Sequence, residues 1–244
     1  MDRAADLGLE ALALADRGGL YGVVRAHARA RKRGLQLVVG AELSCDGLGA
    51  GPIGITLLAR DREGYAGLCR LVTEAHAGTP LREGEAPDGT VVRPAEPRIP
   101  FASLAARSRG LLALHGGSDA GVASRLREAF GDRLALTVSR HRVAGEEPLI
   151  DAVRSLGRRL SIPVAVTNDV HTHDRRRQPL QDVLTCIRLG TTIDRVGRRL
   201  FPNAERTMKG PEEMARLWPD FPGGLETAAE LAASCAFRLE EIRG

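Results

Sequence analysis

Six short apolar runs punctuate the chain: LEALALAD (9–16), LQLVVGAEL (35–43), IGITLLAR (53–60), GLLALHGG (110–117), RLALTVSRH (133–141) and IPVAVTND (162–169). Their near-continuous Leu, Val and Ile content predicts strands covered on both faces. Segments of helical period lie between most of them. The stretch 19–34 groups Leu20, Val23, Val24 and Ala28 on one side and its basic residues largely on the other. The stretch 62–76 repeats this with Tyr65, Leu68, Leu71 and Val72, and 146–160 follows. Strands alternating with helices predict an α/β fold with a mostly parallel sheet, covered on both sides or closed into a barrel. Residues 78–100, rich in Pro, Gly and charge, break the rhythm and predict a long, mobile surface excursion. After His173 no run reads as a strand, and helical pieces form an appendage.

Polar and ionisable residues collect where the strands end: Asp16-Arg17, Glu42, His115, Arg140-His141, and Asp169 with His171. In parallel α/β folds the carboxyl ends of the strands carry the site, because several loops converge there on a rigid base. Carboxylates and imidazoles brought together in this way make a divalent-metal site. Oxygen ligands alone suit magnesium or manganese, and added imidazole favours zinc, manganese or iron. Asp169 and His171 together read as ligands, whereas Asp16 reads as a cap or turn residue ahead of a ligand.

Composition narrows the reading. The 244 residues are 43% hydrophobic and 27% charged, an ordinary globular balance. No apolar run is long enough to span a bilayer, and a cytoplasmic protein is the default expectation. The four cysteines, Cys45, Cys69, Cys186 and Cys235, have no zinc-ribbon or disulfide spacing and read as buried thiols. A net charge of +4 permits contact with nucleic acid. Aromatic content of 3% argues against a base-stacking platform. Arg175, Arg176 and Arg177, after His173, are candidates for a DNA phosphate contact, beside the plainer reading of a solvated basic helix start. His27 and His141 read as structural, and no phosphate-binding Gly loop or nucleophile elbow is present.

The stretch ALALADRGGLYGVVRAHARARKRGLQLVVGAEL resembles the start of the PHP (polymerase and histidinol phosphatase) domain of bacterial C-family DNA polymerases, the DNA polymerase III alpha subunits. ITLLARDREGYAGLCRLVTEAH, VAVTNDVHTHDRRRQPLQDVLTCIRLGTT and GRRLFPNAERTMKGPEEMARLWPDFPGGLETAAELAASCAFRLEEI agree with it. LQDVLTCIRLG followed by GRRLFPNAER is most similar to the error-prone, damage-tolerant branch.

The resemblance implies an incomplete (β/α)7 TIM-like barrel over 1–180, and over 181–244 a helical extension leading toward a polymerase core. It implies metal ligands at Glu42, His76, Asp169 and His171, with Asp16 and His115 as weaker candidates, and zinc, manganese or magnesium as cofactor. The family opens with a strand bearing an HxH pair. Here MDRAADLG reads as the helix after that strand, so those ligands and the strand are expected to be missing, leaving a sheet edge open. A family imidazole is replaced by Arg17, which cannot bind metal and is expected to pair with Glu42 or Asp169. Where the family has a cysteine this chain has Gly117.

The chain is therefore expected to be a fragment of an error-prone polymerase subunit acting in DNA replication and repair, unable to polymerise alone and with a degenerate metal site. Its partners would be the remainder of the polymerase, other replication and repair proteins, and DNA through the full-length protein. A stand-alone metal-dependent phosphoesterase or 3′–5′ exonuclease, and a non-catalytic scaffold, are the alternatives.

Overall fold

The computed structural model describes residues 1–77, 84–85, 91–92 and 96–242. The strands are β1 (Ala11–Arg17), β2 (Gln36–Asp46), β3 (Ile53–Ala59), β4 (Gly84–Glu85), β5 (Val91–Val92), β6 (Arg98–Pro100), β7 (Leu111–His115), β8 (Leu134–Val138) and β9 (Val164–Val166). The helices are α1 (Asp2–Asp6), α2 (Val23–Arg33), α3 (Arg62–His76), α4 (Phe101–Ala106), α5 (Ala120–Phe130), α6 (Glu146–Leu160), α7 (Gln178–Leu189), α8 (Pro211–Leu217) and α9 (Pro222–Ala233).

All six apolar runs form strands of one curled sheet, in the order β1-β2-β3-β7-β8-β9, with β6 added beside β2. The pairs β1–β2, β2–β6, β7–β8 and β8–β9 are parallel. β3 runs against both its neighbours, β2 and β7. Only residues 47–52 join β2 to β3, too few for a crossover, so the chain must reverse. The sheet is an open half-barrel with β1 and β9 as its edges. Helix α9 packs on β9 and also reaches β1.

Most of the 78–100 excursion lies outside the described residues. Its last residues differ from the expectation: Arg98–Pro100 is a strand, because Ile99 is fully buried in the main core. The face of α2 is also corrected. Val23, Ala26 and Ala30 are buried, while Val24 is 73% exposed.

The main core joins one face of the sheet to α3, α5 and α6 through Leu43, Ile55, Leu57, Leu68, Leu71, Leu111, Leu126, Phe130, Leu136 and Ile150. Leu217 and Trp218 belong to the same core. A second cluster packs α1 and α2 on Leu37 and Val39, and Phe237 closes it, stacked on Tyr65 with ring centres 4.6 Å apart. On the other face Val38, Leu58 and Leu112 meet Cys235 and Leu231. Residues 217–237 are thus built into every core layer. All four cysteines are free thiols, three of them buried.

Local chemistry fixes the element ends. Asp61 caps α3 by accepting from the Gly64 amide at 2.8 Å, and Asp119 caps α5 at the Val122 amide, 2.9 Å away. Gly64 has a second role: a Cβ there would overlap the Gly110 carbonyl, so α3 approaches the entrance to β7 at backbone contact. No helix among the described residues is long and apolar enough to cross a membrane.

Candidate functional site

The register of β1 on β2 sets Arg17 opposite Glu42. Side chains of paired residues in parallel strands share a face, so guanidinium and carboxylate meet, Nη2 to Oε1 at 3.1 Å. Neighbouring residues on a strand face oppositely, which turns Asp16 away from Glu42. Its carboxylate accepts from the Gly22 amide at 2.7 Å, the turn role expected for it.

His76 closes α3 beneath the loop that follows β1. Its Nε2 lies 2.7 Å from the Gly18 carbonyl oxygen, and the Gly18 amide donates to the Glu42 carbonyl at 2.8 Å. A carbonyl only accepts, so Nε2 of His76 carries the proton and is closed to a metal. Nδ1 is buried without a hydrogen-bond partner.

Asp169 follows β9 in a left-handed conformation, φ 42°. One carboxylate oxygen pairs with Arg206, and the other stands 3.4 Å from Nε2 of His171. The Arg206 guanidinium also lies 4.4 Å from the centre of the Phe201 ring, whose plane His171 meets at 61°. Burial and the positive charges of Arg17 and Arg188 outweigh Glu42 and hold His171 below the usual imidazole range. The ring is neutral at neutral pH.

His115, at the end of β7, is 6% exposed. Leu114 aligns with Thr56, and Thr56 with Glu42, so the adjacent His115 falls on the opposite row. Burial lowers its pKa, against a hydrogen bond with the Gly54 backbone.

Glu42, Asp169 and His171 therefore collect at one end of the sheet together with arginines. Among the described residues no three His, Cys, Asp or Glu side chains form a group that could hold a metal ion. The donor chemistry does not fit a divalent cation: guanidinium groups hold both carboxylates, and the Nε2 proton of His76 is committed.

The arginine cluster at 175–177 is engaged mainly within the chain. Arg175 bridges Glu205 at 2.6 Å and Glu213 at 3.0 Å, and Arg176 binds Asp174 at 2.9 Å. Glu205 leads to a buried network not anticipated from the sequence. The Lys209 side chain is 1% exposed; it lies 3.3 Å from Glu205 and donates to Asn168 Oδ1 at 3.2 Å. Asn168 donates in turn to the carbonyls of Glu205 and Thr207, and its own carbonyl accepts from His141 Nε2 at 3.0 Å. The backbone of 206–208 is bonded to 171–172, which fixes Arg206 beside Asp169. One signal was available: polar NAERTMKG, 203–210, has neither strand nor helix period.

An error-prone DNA polymerase of Anaeromyxobacter dehalogenans is 63% identical over 99% of this chain, and one of Pseudomonas aeruginosa is 37% identical over 99%. The chain spans about a fifth of the length of these curated relatives, 21% and 22%. A solved putative metal-dependent phosphoesterase from Bifidobacterium adolescentis aligns with 69% of this chain and 79% of its own, at 16% identity and a TM-score of 0.45. Residues 1–146, more than half of the chain, match the PHP domain, and the chain belongs to that family.

Proposed function

We propose that this chain acts as the PHP module of an error-prone DNA polymerase, in replication and repair synthesis across damaged DNA, and that its own contribution is structural. Residues 1–180 form the PHP portion in this reading, and 181–244 its helical extension toward the polymerase core. The observation that supports it is the pairing of both strand-end carboxylates with guanidinium groups, Arg17 with Glu42 and Arg206 with Asp169. An arginine supplies a fixed positive charge and directed N–H donors but has no vacant orbital with which to activate water. The module holds the strand ends together by ion pairs and leaves nucleotidyl transfer to the rest of the polypeptide.

The test is metal content of the purified chain, native and Asp169→Ala, after equilibration with zinc and then manganese, with phosphodiester hydrolysis assayed on the same samples. Substoichiometric metal, indifferent to the substitution and without turnover, is expected. Stoichiometric metal that is lost in Asp169→Ala, accompanied by hydrolysis, would make the chain a working phosphoesterase instead.

A further inference from the structure

A cavity of about 710 Å³ opens at the ends of β2 and β6, apart from the arginine pairs described above. The register that sets Asp46 beside Pro100 forms one side of it, and Gly47, the start of α4 and Arg125 of α5 complete it. Glu42 lies four residues back along β2, about 13 Å of extended strand away. The volume falls within the ~300–1,000 Å³ of small-molecule sites. Ile99, Pro100, Phe101 and Ala102 give it a chiefly apolar lining.

Three charged groups stand on that lining. The Arg125 guanidinium lies over the Phe101 ring, 4.4 Å from its centre, and Nη1 donates to the Gly47 carbonyl. These contacts hold the side chain in place before any ligand arrives. Its other N–H groups have no carboxylate partner among the described residues, so they are presented at little entropic cost. Arg98 stands 3.6 Å from Asp46, and both side chains are about half exposed. That separation is longer than a hydrogen bond, so either partner can turn to a ligand. Two guanidinium groups against one carboxylate leave one positive charge in excess.

This set selects a ligand with three properties. It needs an anionic group for the guanidiniums, a planar apolar body for the lining, and a hydrogen-bond donor for Asp46. A bare phosphate lacks the body, and an aromatic carboxylate lacks the donor. We propose that the cavity is a site for a nucleoside monophosphate, with its phosphate between Arg98 and Arg125, its base on Pro100 and Ala102, and a sugar hydroxyl or base amine donating to Asp46. A free nucleotide and the last nucleotide of a DNA strand share this chemistry. The site goes beyond the structural role proposed for the strand-end pairs, and its failure would leave that role untouched.

The test is ligand-observed NMR titration of the purified chain with adenosine 5′-monophosphate, adenosine, inorganic phosphate and a short oligodeoxyadenylate. Saturable binding of the monophosphate is expected, at least ~10-fold tighter than adenosine or phosphate. Arg125→Gln should weaken it at least ~10-fold, about the loss of one charge-assisted hydrogen bond. Ala102→Glu should do the same without lowering the Tm, because Ala102 is exposed in the first turn of α4, where a carboxylate suits the helix but repels phosphate. Arg17→Gln should change nothing. Phosphate bound as tightly as the monophosphate, or indifference to both cavity variants, would mean an adventitious ion only and overturn the proposal. A loss in Arg17→Gln alone would put the nucleotide at the strand ends and also overturn it, as would the absence of saturable binding. An oligonucleotide that displaces the monophosphate and is weakened by Arg125→Gln supports the site with a DNA strand as its source. Monophosphate binding that the oligonucleotide does not displace supports a free nucleotide.

Discussion

Lys209 and Asn168 meet 3.2 Å apart at the centre of a buried network, although they are separated by 41 residues. The lysine is one face of a cage whose other sides are the Glu205 carboxylate and carbonyl. Burial lowers the Lys209 pKa, against the opposing effect of Glu205. A buried ammonium is tolerable only while those oxygens surround it. Replacing it with Met removes the charge but leaves Glu205 with Arg175 alone. The expected loss is about 2–4 kcal/mol, below the full cost of orphaning a buried ion because Arg175 remains. Urea unfolding of Lys209→Met reads this directly, and an unchanged midpoint would refute the network's role.

Acid should weaken the fold in two stages. Burial holds His115, His141 and His171 below their ordinary imidazole value of 6.5. Between the lowered folded values and 6.5 the unfolded chain binds more protons, so the stability these groups contribute is present above pH 6.5 and is lost as pH falls. Glu205 adds a lower window: burial raises it, Arg175 and Lys209 outweigh that, and it titrates below its usual 4.5. Its contribution is present above 4.5 and is lost as pH falls through its folded value. Thermal melts from pH 7.5 down to 3.5 should show both declines. A Tm that is flat from pH 7.5 to 5.5 would contradict the histidine stage.

The two arginine pairs should differ in weight. Arg17 and Glu42 have side chains 54% and 36% exposed, and exposed pairs are worth about 0–1 kcal/mol. Arg206 is 24% exposed and also covers Phe201. Arg206→Ala therefore loses packing as well as charge, and about 1–2 kcal/mol is expected against less than ~1 for Arg17→Ala. Denaturant titration of both variants in low and high salt checks the ranking. Equal losses would refute it.

Backbone geometry offers one gain and one loss. Ser161 caps the end of α6 at φ 52°, the left-handed region where a Cβ is penalised. Ser161→Gly is expected to stabilise the chain by about 0.5–1 kcal/mol, the relief of that strain less the added freedom of the unfolded chain. Gly64→Ala has the opposite sign. The methyl would overlap the Gly110 carbonyl and pry α3 from the sheet, costing more than ~3 kcal/mol or preventing folding. Unfolding midpoints and soluble yield decide each.

The strands were legible because a strand covered on both faces must be apolar along most of its length. β1 departs from the expected two-sided cover, being an edge strand with no fully buried residue, and was legible only from its Leu and Ala content. The direction of β3 follows from the brevity of 47–52, which leaves no room for a crossover. Arg17 pairing with Glu42 was legible once both were placed at neighbouring strand ends. Arg206 was not, because its approach to Asp169 depends on the bonding of 206–208 to 171–172, which no local periodicity encodes. The same is true of Lys209: side-chain polarity suggests exposure, and only the converging oxygens of Asn168 and Glu205 reverse it. Val24 failed for a simpler reason, since an apolar residue at the rim of a helical stripe can fall on either side.

The hold of residues 222–237 on the sheet has a kinetic meaning. Gln36 Nε2 donates to the Cys235 carbonyl at 2.9 Å across 199 positions, and the Phe237 amide donates to the Arg60 carbonyl at 3.0 Å. Contacts of that sequence separation close very long loops, and their entropy must be met before any of them rewards folding. On the ribosome β1 through β9 emerge long before the helix that spans their two edges. A nascent chain at that stage carries paired strands with bare rims and an uncovered Val38–Leu58–Leu112 face, the conditions under which chains associate wrongly and chaperones engage.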